Sequence, residues 1–122
     1  MPTILLVDDD EQIRAWLRQV LTAKSYHVEE ACNGDEALDR IKQKSVALIV
    51  LDLYMPGRDG LETISGLRSR VPPIKILAIS GNPILGFDTC RTAKALGAHD
   101  ALAKPFDAQT FLQRVEVLLC HS

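Results

Sequence analysis

Five short apolar runs alternate along this chain with segments of helical periodicity, and this alternation restricts the possible folds most. The runs are "TILLV" (3–7), "YHVEEA" (26–31), "VALIVL" (46–51), "IKILAI" (74–79) and "HDALA" (99–103). The first, third and fourth are continuous and rich in branched residues, as in strands that are buried on both faces. The second run is a weaker strand signal, and the fifth is weaker still. Strands separated by helices predict right-handed crossovers and an α/β fold with a parallel sheet covered on both sides.

The segments between the runs carry apolar residues at spacings of three and four, which is typical of amphipathic helices. The five predicted helices lie in residues 10–24, in the segment that follows Asn33, around residues 61–67, in residues 86–96 and around residues 111–119. Asn33 and Asp107 are predicted N-caps, with Glu36 completing a capping box and Phe106 acting as an apolar staple. Gly97 is expected to terminate the fourth helix.

Composition excludes several classes of function. The 122 residues fit one domain, 1–122, and the net charge of -2 gives no basic surface for nucleic acid or a membrane. The N-terminus lacks the features of a signal peptide. Cys32, Cys90 and Cys120 are widely spaced and odd in number, so we expect reduced thiols in or near the core, and a cytoplasmic protein.

Polar residues directly follow the strong strands, where a parallel α/β sheet binds its ligands. Asp8 and Asp9 follow the first strand, and Asp52, Ser80 and Lys104 follow the third, fourth and fifth. Each has an ordinary structural explanation: Asp8 and Asp9 suit a helix N-terminus, Asp52 suits a loop, Ser80 before glycine suits a turn, and Lys104 suits a solvated surface. Their occurrence together at one sheet edge favours a functional site.

This combination of side chains indicates phosphoryl chemistry. Oxygen ligands with room for water suit Mg²⁺, which is commonly held by one or two carboxylates and a phosphate oxygen. Lys104 adds a second positive charge and Ser80 a hydroxyl. A carboxylate in such a site can act as a nucleophile and form an aspartyl phosphate. Asp10 and Glu11 are instead expected to begin the first helix.

Four motifs resemble the receiver domain of two-component response regulators over essentially the whole chain. They are "LLVDDD" (5–10), "LIVLDLYMPGRDG" (48–60), "ILAISG" (76–81) and "GAHDALAKPF" (97–106). The resemblance implies a flavodoxin-like (βα)5 fold, a doubly wound parallel five-stranded sheet in the order 2-1-3-4-5. It also implies a signalling phosphoprotein of a phosphorelay, with at most slow self-dephosphorylation, and not an enzyme.

The resemblance assigns a role to each residue of the site. Asp52 is implied to be the phosphoacceptor. Asp9 and Asp52 are implied to bind Mg²⁺ directly, together with the backbone carbonyl of Tyr54, while Asp8 acts mostly through a metal-bound water. The resemblance further implies that Lys104 pairs with the phosphoryl oxygens across a cis Lys104–Pro105 bond, and that Ser80 donates a hydrogen bond to the phosphoryl group.

The resemblance also implies the partners. The phosphoryl group would come from a sensor histidine kinase or a histidine phosphotransfer protein. A downstream protein would bind the face of helix 4, strand 5 and helix 5, which includes Arg91, Lys94, His99, Ala101, Gln109 and Gln113. Many receivers carry at position 101 an aromatic ring that turns inward on activation. Ala101 has no such ring, so coupling in its usual form is not expected.

Other interpretations remain open from the sequence. The chain is either a stand-alone receiver or a receiver cut from a longer regulator or hybrid kinase. It is alternatively a receiver-fold binding module that is not phosphorylated. A third alternative is a Mg²⁺-dependent phosphohydrolase with Asp52 as nucleophile. Phosphatases of the haloacid-dehalogenase type place a second Asp two residues further on, where this chain has Tyr54.

Overall fold

The structure, a computed structural model, describes residues 2–53, 60–68, 74–81 and 89–120. Strands and helices alternate throughout the described residues. The strands are β1 (Thr3–Val7), β2 (His27–Ala31), β3 (Leu48–Asp52), β4 (Lys75–Ser80) and β5 (Asp100–Ala103). The helices are α1 (Glu11–Thr22), α2 (Gly34–Gln43), α3 (Gly60–Arg68), α4 (Thr89–Leu96) and α5 (Ala108–Cys120).

All strand pairs are parallel, and the order across the sheet is β2-β1-β3-β4-β5. This confirms the predicted flavodoxin-like topology. Strand β1 pairs with both β2 and β3, so the order reverses direction beside it. The carboxyl ends of β1 and β3 are therefore neighbours at the switch point, where open α/β sheets bind ligands.

Apolar residues of the strands alternate between two cores, one on each face of the sheet. One core packs Leu5, Ile49 and Ile76 against α2, α3 and α4, including Ile64 of α3. The other packs Ile4, Leu6 and Leu77 against α1 and α5, with Leu17 and Phe111 at its centre. Burial on both faces explains why the central strands are continuous apolar runs in the sequence.

Three helix N-termini, those of α1, α2 and α5, are capped by the residues that the sequence predicts. The side chains of Asp10, Asn33 and Asp107 accept backbone N–H groups of the following helical turn at 2.9, 2.8 and 2.7 Å, respectively. The ring of Phe106 stacks on that of Phe111 at 5.8 Å, which confirms the predicted staple of α5. The ring of Trp16 in α1 lies 6.0 Å from Phe106, so the aromatic contacts also join α1 to the β5–α5 loop.

Four of the five strands have boundaries that differ by one or two residues from the predicted runs. Strands β3 and β4 include Asp52 and Ser80, because the backbone ladder continues one residue beyond the apolar run. Helix α4 ends at Leu96 before Gly97, as predicted. The predicted first turn of that helix, 86–88, lies outside the described residues.

The prediction that the cysteines lie in or near the core is wrong for Cys32 and Cys120, which are both free and exposed. Cys32 follows β2 and Cys120 is the last residue of α5, so each lies where an element leaves the packed layers. The side chain of Cys90 lies outside the described part of the chain. Among the described residues, no helix is long and apolar enough to cross a membrane.

His99 joins the amino end of β5 to β4. Its backbone N–H donates to the carbonyl of Ile76 at 2.9 Å, and its Nδ1 accepts the N–H of Ile76 at 3.1 Å. His99 is exposed overall, but Ile76 is buried, so Nδ1 satisfies a buried donor. Partial burial of the ring and the nearby Lys75 ammonium lower the pKa of His99. The neutral imidazole is the form that fits this contact.

We expect His99 to make folding stability depend on pH. Its pKa is lower in the folded than in the unfolded protein, so its contribution is complete above the unfolded value of about 6.5 and is lost as pH falls through the folded pKa. The loss is on the order of one hydrogen bond, about 0.5–1.5 kcal/mol. Urea unfolding of wild type at about pH 7.5 and about pH 5 measures it.

The matched variant is His99→Asn, which offers a short side-chain acceptor that does not titrate. Its free energy of unfolding should fall less than that of wild type over the same pH interval. Equal losses in the two proteins would show that the acid sensitivity comes from other groups.

Candidate functional site

Three carboxylates meet at the carboxyl edge of the sheet. Asp8 follows β1, Asp9 comes next, and Asp52 is the last residue of the adjacent strand β3. One oxygen of each carboxylate lies within 4.8 Å of the others. Asp8 and Asp52 are buried and Asp9 is exposed, so the cluster is an edge pocket with one side open to solvent.

Lys104 supplies the counter-charge. Its Nζ lies 3.6 Å from Asp8 Oδ2 and 3.9 Å from Asp52 Oδ2. Its backbone N–H donates to the carbonyl of Ser80 at 2.8 Å, which fixes the start of the β5–α5 loop against the end of β4. The Lys104–Pro105 bond is cis, as the resemblance implies.

Gly81 leaves space for the side chain of Lys104, which passes close to it at the carboxyl edge of the sheet. A Cβ atom at position 81 would lie 2.9 Å from Lys104 Cδ, and 3.6 Å from both Cε and Nζ. Any larger residue there would displace the lysine side chain from its present path. Gly81 was not a predicted site residue, although its position directly after Ser80 is the available sequence signal.

The structure therefore brings four of the predicted side chains together: Asp8, Asp9, Asp52 and Lys104. Ser80 is buried at the end of β4, which lies between β3 and β5, so it belongs to the same edge. The predicted backbone ligand, Tyr54, lies outside the described residues.

The donor set suits a hard divalent cation. Three carboxylates carry three formal negative charges against the single positive charge of Lys104, and two of them are buried. Crowded carboxylates repel one another where water is scarce, and a cation relieves that repulsion. Oxygen donors with an open, solvated side fit Mg²⁺ better than Zn²⁺, which prefers nitrogen and sulfur ligands.

An arginine that the sequence did not single out lies behind this cluster. Arg14 Nη1 donates to the backbone carbonyl of Asp8 at 2.5 Å, and Arg14 Nε donates to Glu30 Oε1 at 3.1 Å. The side chain is only 13% exposed. Its position one turn after the cap Asp10 and between the core residues of α1 was the available signal, since a cation on that face needs a partner.

The face formed by α4, β5 and α5 carries its own charge cluster. Arg114 of α5 donates to both carboxylate oxygens of Asp100, at 2.9 and 2.7 Å, and Lys94 of α4 lies 3.5 Å away. Burial alone would raise the pKa of Asp100, but the bonds from Arg114 and the N–H of Ala101 lower it overall. Ala101 is buried, so it contributes backbone rather than side chain to the predicted partner surface.

The other residues predicted for that surface are exposed wherever the structure describes them: Arg91, Lys94, His99, Gln109 and Gln113. The imidazole of His99 is engaged with Ile76 at the opposite, amino edge of the sheet. Use of this surface by a partner stays a prediction.

Comparison with known proteins agrees with this geometry. Residues 4–116 match the family described as the response regulator receiver domain. The transcriptional regulatory protein ResD of Bacillus subtilis is 38% identical over 120 residues, which are 95% of this chain and 47% of that protein. SrrA of Staphylococcus aureus is 36% identical with the same coverage. The chain thus spans about half the length of these curated relatives.

A solved structure of 30% sequence identity shares the fold of this chain. The receiver domain of NtrX from Brucella abortus superposes with a TM-score of 0.89 at 30% identity, covering 98% of this chain and 99% of that domain. The sequence match, the strand order and the acidic cluster at the carboxyl edge of the sheet all agree with a receiver domain. The chain belongs to the receiver domain family of two-component response regulators.

Proposed function

We propose that this chain is a Mg²⁺-dependent phosphoacceptor in which Asp52 receives a phosphoryl group. The observation that carries the proposal is the grouping of Asp8, Asp9 and Asp52 within 4.8 Å, with the Lys104 ammonium beside two of them. Receiver domains take their phosphoryl group from histidine kinases, so a histidine kinase or a histidine phosphotransfer protein is the proposed donor.

In the proposed reaction a carboxylate oxygen of Asp52 bonds to phosphorus as the phosphorus–nitrogen bond of phosphohistidine breaks and the imidazole leaves. Such transfers depend on positioning and charge neutralisation more than on covalent machinery. Mg²⁺, held by Asp9 and Asp52 with Asp8 acting through water, would neutralise charge on the phosphoryl oxygens. Lys104 is positioned to neutralise the remainder, because its ammonium already lies 3.9 Å from Asp52 Oδ2.

The proposed switch begins at Ser80. A phosphoryl group on Asp52 adds acceptor oxygens to which the Ser80 hydroxyl can donate. The Ser80 carbonyl already accepts the N–H of Lys104 at 2.8 Å, so a shift of Ser80 is transmitted to the backbone after β5. With Ala101 in place of an aromatic ring, this backbone route replaces side-chain rotation in our proposal. The readout is a changed affinity for a downstream protein at the α4–β5–α5 face.

The role proposed is that of a signalling domain rather than an enzyme, since the phosphoryl group stays on the protein until water removes it. The hydrolase alternative has less support, because Tyr54 stands where a phosphatase of that type places a second Asp.

The acceptor chemistry is tested by mass. Wild type incubated with Mg²⁺ and acetyl phosphate should gain one phosphoryl adduct, and Asp52→Asn should gain none, because an amide is a poor nucleophile. Intact-mass spectrometry measures both. Adding EDTA before the donor should abolish the adduct. An adduct on Asp52→Asn, or none on wild type while Mg²⁺ binding is demonstrated, would contradict the proposal.

Gly81→Ala tests the position of Lys104. The new methyl would meet Lys104 Cδ at 2.9 Å, so the lysine side chain must shift and carry the ammonium away from its present position beside the carboxylates. We expect phosphorylation by acetyl phosphate to slow by roughly tenfold or more, since one preorganised charge is lost where negative charge must be stabilised. Mg²⁺ affinity should be unchanged or higher, because a competing cation has left the carboxylates. Adduct formation over time and calorimetric titration with MgCl₂ measure these two effects.

Gly66→Ala is the matched control. Its Cβ would have ordinary contacts, the nearest being Leu38 Cδ2 at 3.7 Å, and it lies within α3 away from the edge. Alanine within a helix is favoured over glycine by roughly 1 kcal/mol, so this variant should be at least as stable as wild type. A Gly81→Ala protein that is phosphorylated at the wild-type rate would show that Lys104 has another path.

A further inference from the structure

We infer that Arg14 is a positioning residue for the metal site, which it controls by fixing the peptide group between Asp8 and Asp9. The inference rests on the proposed function, since it takes the acidic cluster to be a Mg²⁺ site. The hydrogen bonds of Arg14 go to the backbone carbonyl of Asp8 and to the side chain of Glu30. Arg14 acts on the backbone that carries two of the three carboxylates.

The peptide group is held through its oxygen. Arg14 Nη1 donates to the carbonyl of Asp8, and that carbonyl shares one rigid plane with the N–H of Asp9. The orientation of this plane sets where the Asp9 Cα, and so its carboxylate, lies relative to Asp8. Asp9 is exposed, and packing therefore does little to fix it. The hydrogen bond from the Arg14 guanidinium therefore fixes the orientation of this peptide group.

Asp8 is held from three other directions. Its N–H donates to the carbonyl of Ala31 at 3.2 Å, its Oδ1 accepts the N–H of Asp10 at 2.9 Å, and its Oδ2 faces Lys104. The bond from Arg14 completes this set on the carbonyl oxygen. Without the bond from Arg14, the peptide group between Asp8 and Asp9 could rotate, and Asp9 could change its position even though Asp8 is held. The bond from Arg14 to the Asp8 carbonyl prevents this rotation.

Arg14 is itself fixed by Glu30 of β2. Nε donates to Glu30 Oε1 at 3.1 Å, while Arg18 Nη1 donates to Glu30 Oε2 at 2.8 Å. Glu30 pairs in register with Leu6 of β1, so the anchor belongs to the rigid sheet. Glu11 lies 3.9 Å from Arg14 but is 88% exposed, and contributes little. A planar fork with donors on two sides suits this bridge, and a lysine cannot make both contacts.

Charge alone predicts the opposite effect from positioning, which makes the inference testable. A positive charge beside a cation site repels the cation, so its removal should tighten Mg²⁺ binding if Arg14 acts only through its charge. If Arg14 positions the ligands, its removal should weaken binding. Groups that orient metal ligands typically contribute about 10–100-fold in affinity.

The experiment is calorimetric titration of the whole chain with MgCl₂. We expect Arg14→Gln to raise the Kd by about tenfold. Arg18→Gln is the matched control, because it removes the same charge and also one bond to Glu30 but has no bond to Asp8. Its Kd should stay within about twofold of wild type, or fall slightly. An unchanged or lower Kd for Arg14→Gln would overturn the inference.

Two further measurements separate positioning from a general loss of stability. Arg14→Lys keeps the charge and the apolar stem, so it carries the test if Arg14→Gln does not fold. Its Kd should also rise, and a wild-type Kd would overturn the bridging role. In ¹⁵N NMR spectra without Mg²⁺, the Asp9 amide of the Arg14 variants should shift and broaden more than amides elsewhere in α1. A lower melting temperature with an unchanged Asp9 amide would indicate a purely structural arginine and overturn the inference.

Failure of this inference is distinguishable from failure of the proposed function. Wild type that binds Mg²⁺ and accepts a phosphoryl group, with an Arg14→Gln Kd equal to its own, overturns only the role of Arg14. Wild type that binds no Mg²⁺ overturns the metal site and the role of Arg14 together.

Discussion

The crowding of three carboxylates at one edge of the sheet is the constraint on which the rest of this structure depends. Asp8 and Asp52 are buried side by side because β1 and β3 are adjacent parallel strands. Repulsion between them works against folding. The fold offsets it in two ways: the apolar residues behind them are buried on both faces of the sheet, and Lys104 reaches into the cluster from the neighbouring loop. The acidic cluster is therefore held in place by the two apolar cores on the faces of the sheet.

The two cations beside the acidic cluster, Lys104 and Arg14, have different kinds of partner. The Lys104 ammonium pairs with the carboxylates directly. Arg14 instead donates hydrogen bonds to the backbone carbonyl of Asp8 and to Glu30 in β2. A lysine suits the first task, because a compact ammonium on a flexible stem can move when another cation arrives. An arginine suits the second, because its planar fork holds two partners in fixed directions. The flexible ammonium of Lys104 and the planar guanidinium of Arg14 therefore suit different tasks.

Local signals in the sequence predicted a parallel α/β sheet and most of the site, whereas the strand order came from the resemblance to receiver domains. Apolar runs mark the strands, and polar residues that follow them mark the edge at which ligands bind. The hydrogen bonds of Arg14 to Glu30 and of His99 to Ile76 were not predicted, because each joins residues that are distant in sequence. The exposure of Cys32 and Cys120 was predicted wrongly, since residue type alone does not show where an element leaves the core.

Strand β5 is an edge strand of only four residues, and hydrogen bonds hold it to β4 at both ends. At its amino end the side chain of His99 accepts the backbone N–H of Ile76 in β4. At its carboxyl end Lys104 donates to Ser80. Between them Ala101 lies in a core with Ala93 and Ala98, whose short side chains allow α4 to approach the sheet closely. Position 101 therefore offers no ring that can rotate, and both ends of β5 are bound to β4 by hydrogen bonds. In the proposed switch, the backbone pairing of β4 with β5 is the connection through which Ser80 would influence the α4–β5–α5 face.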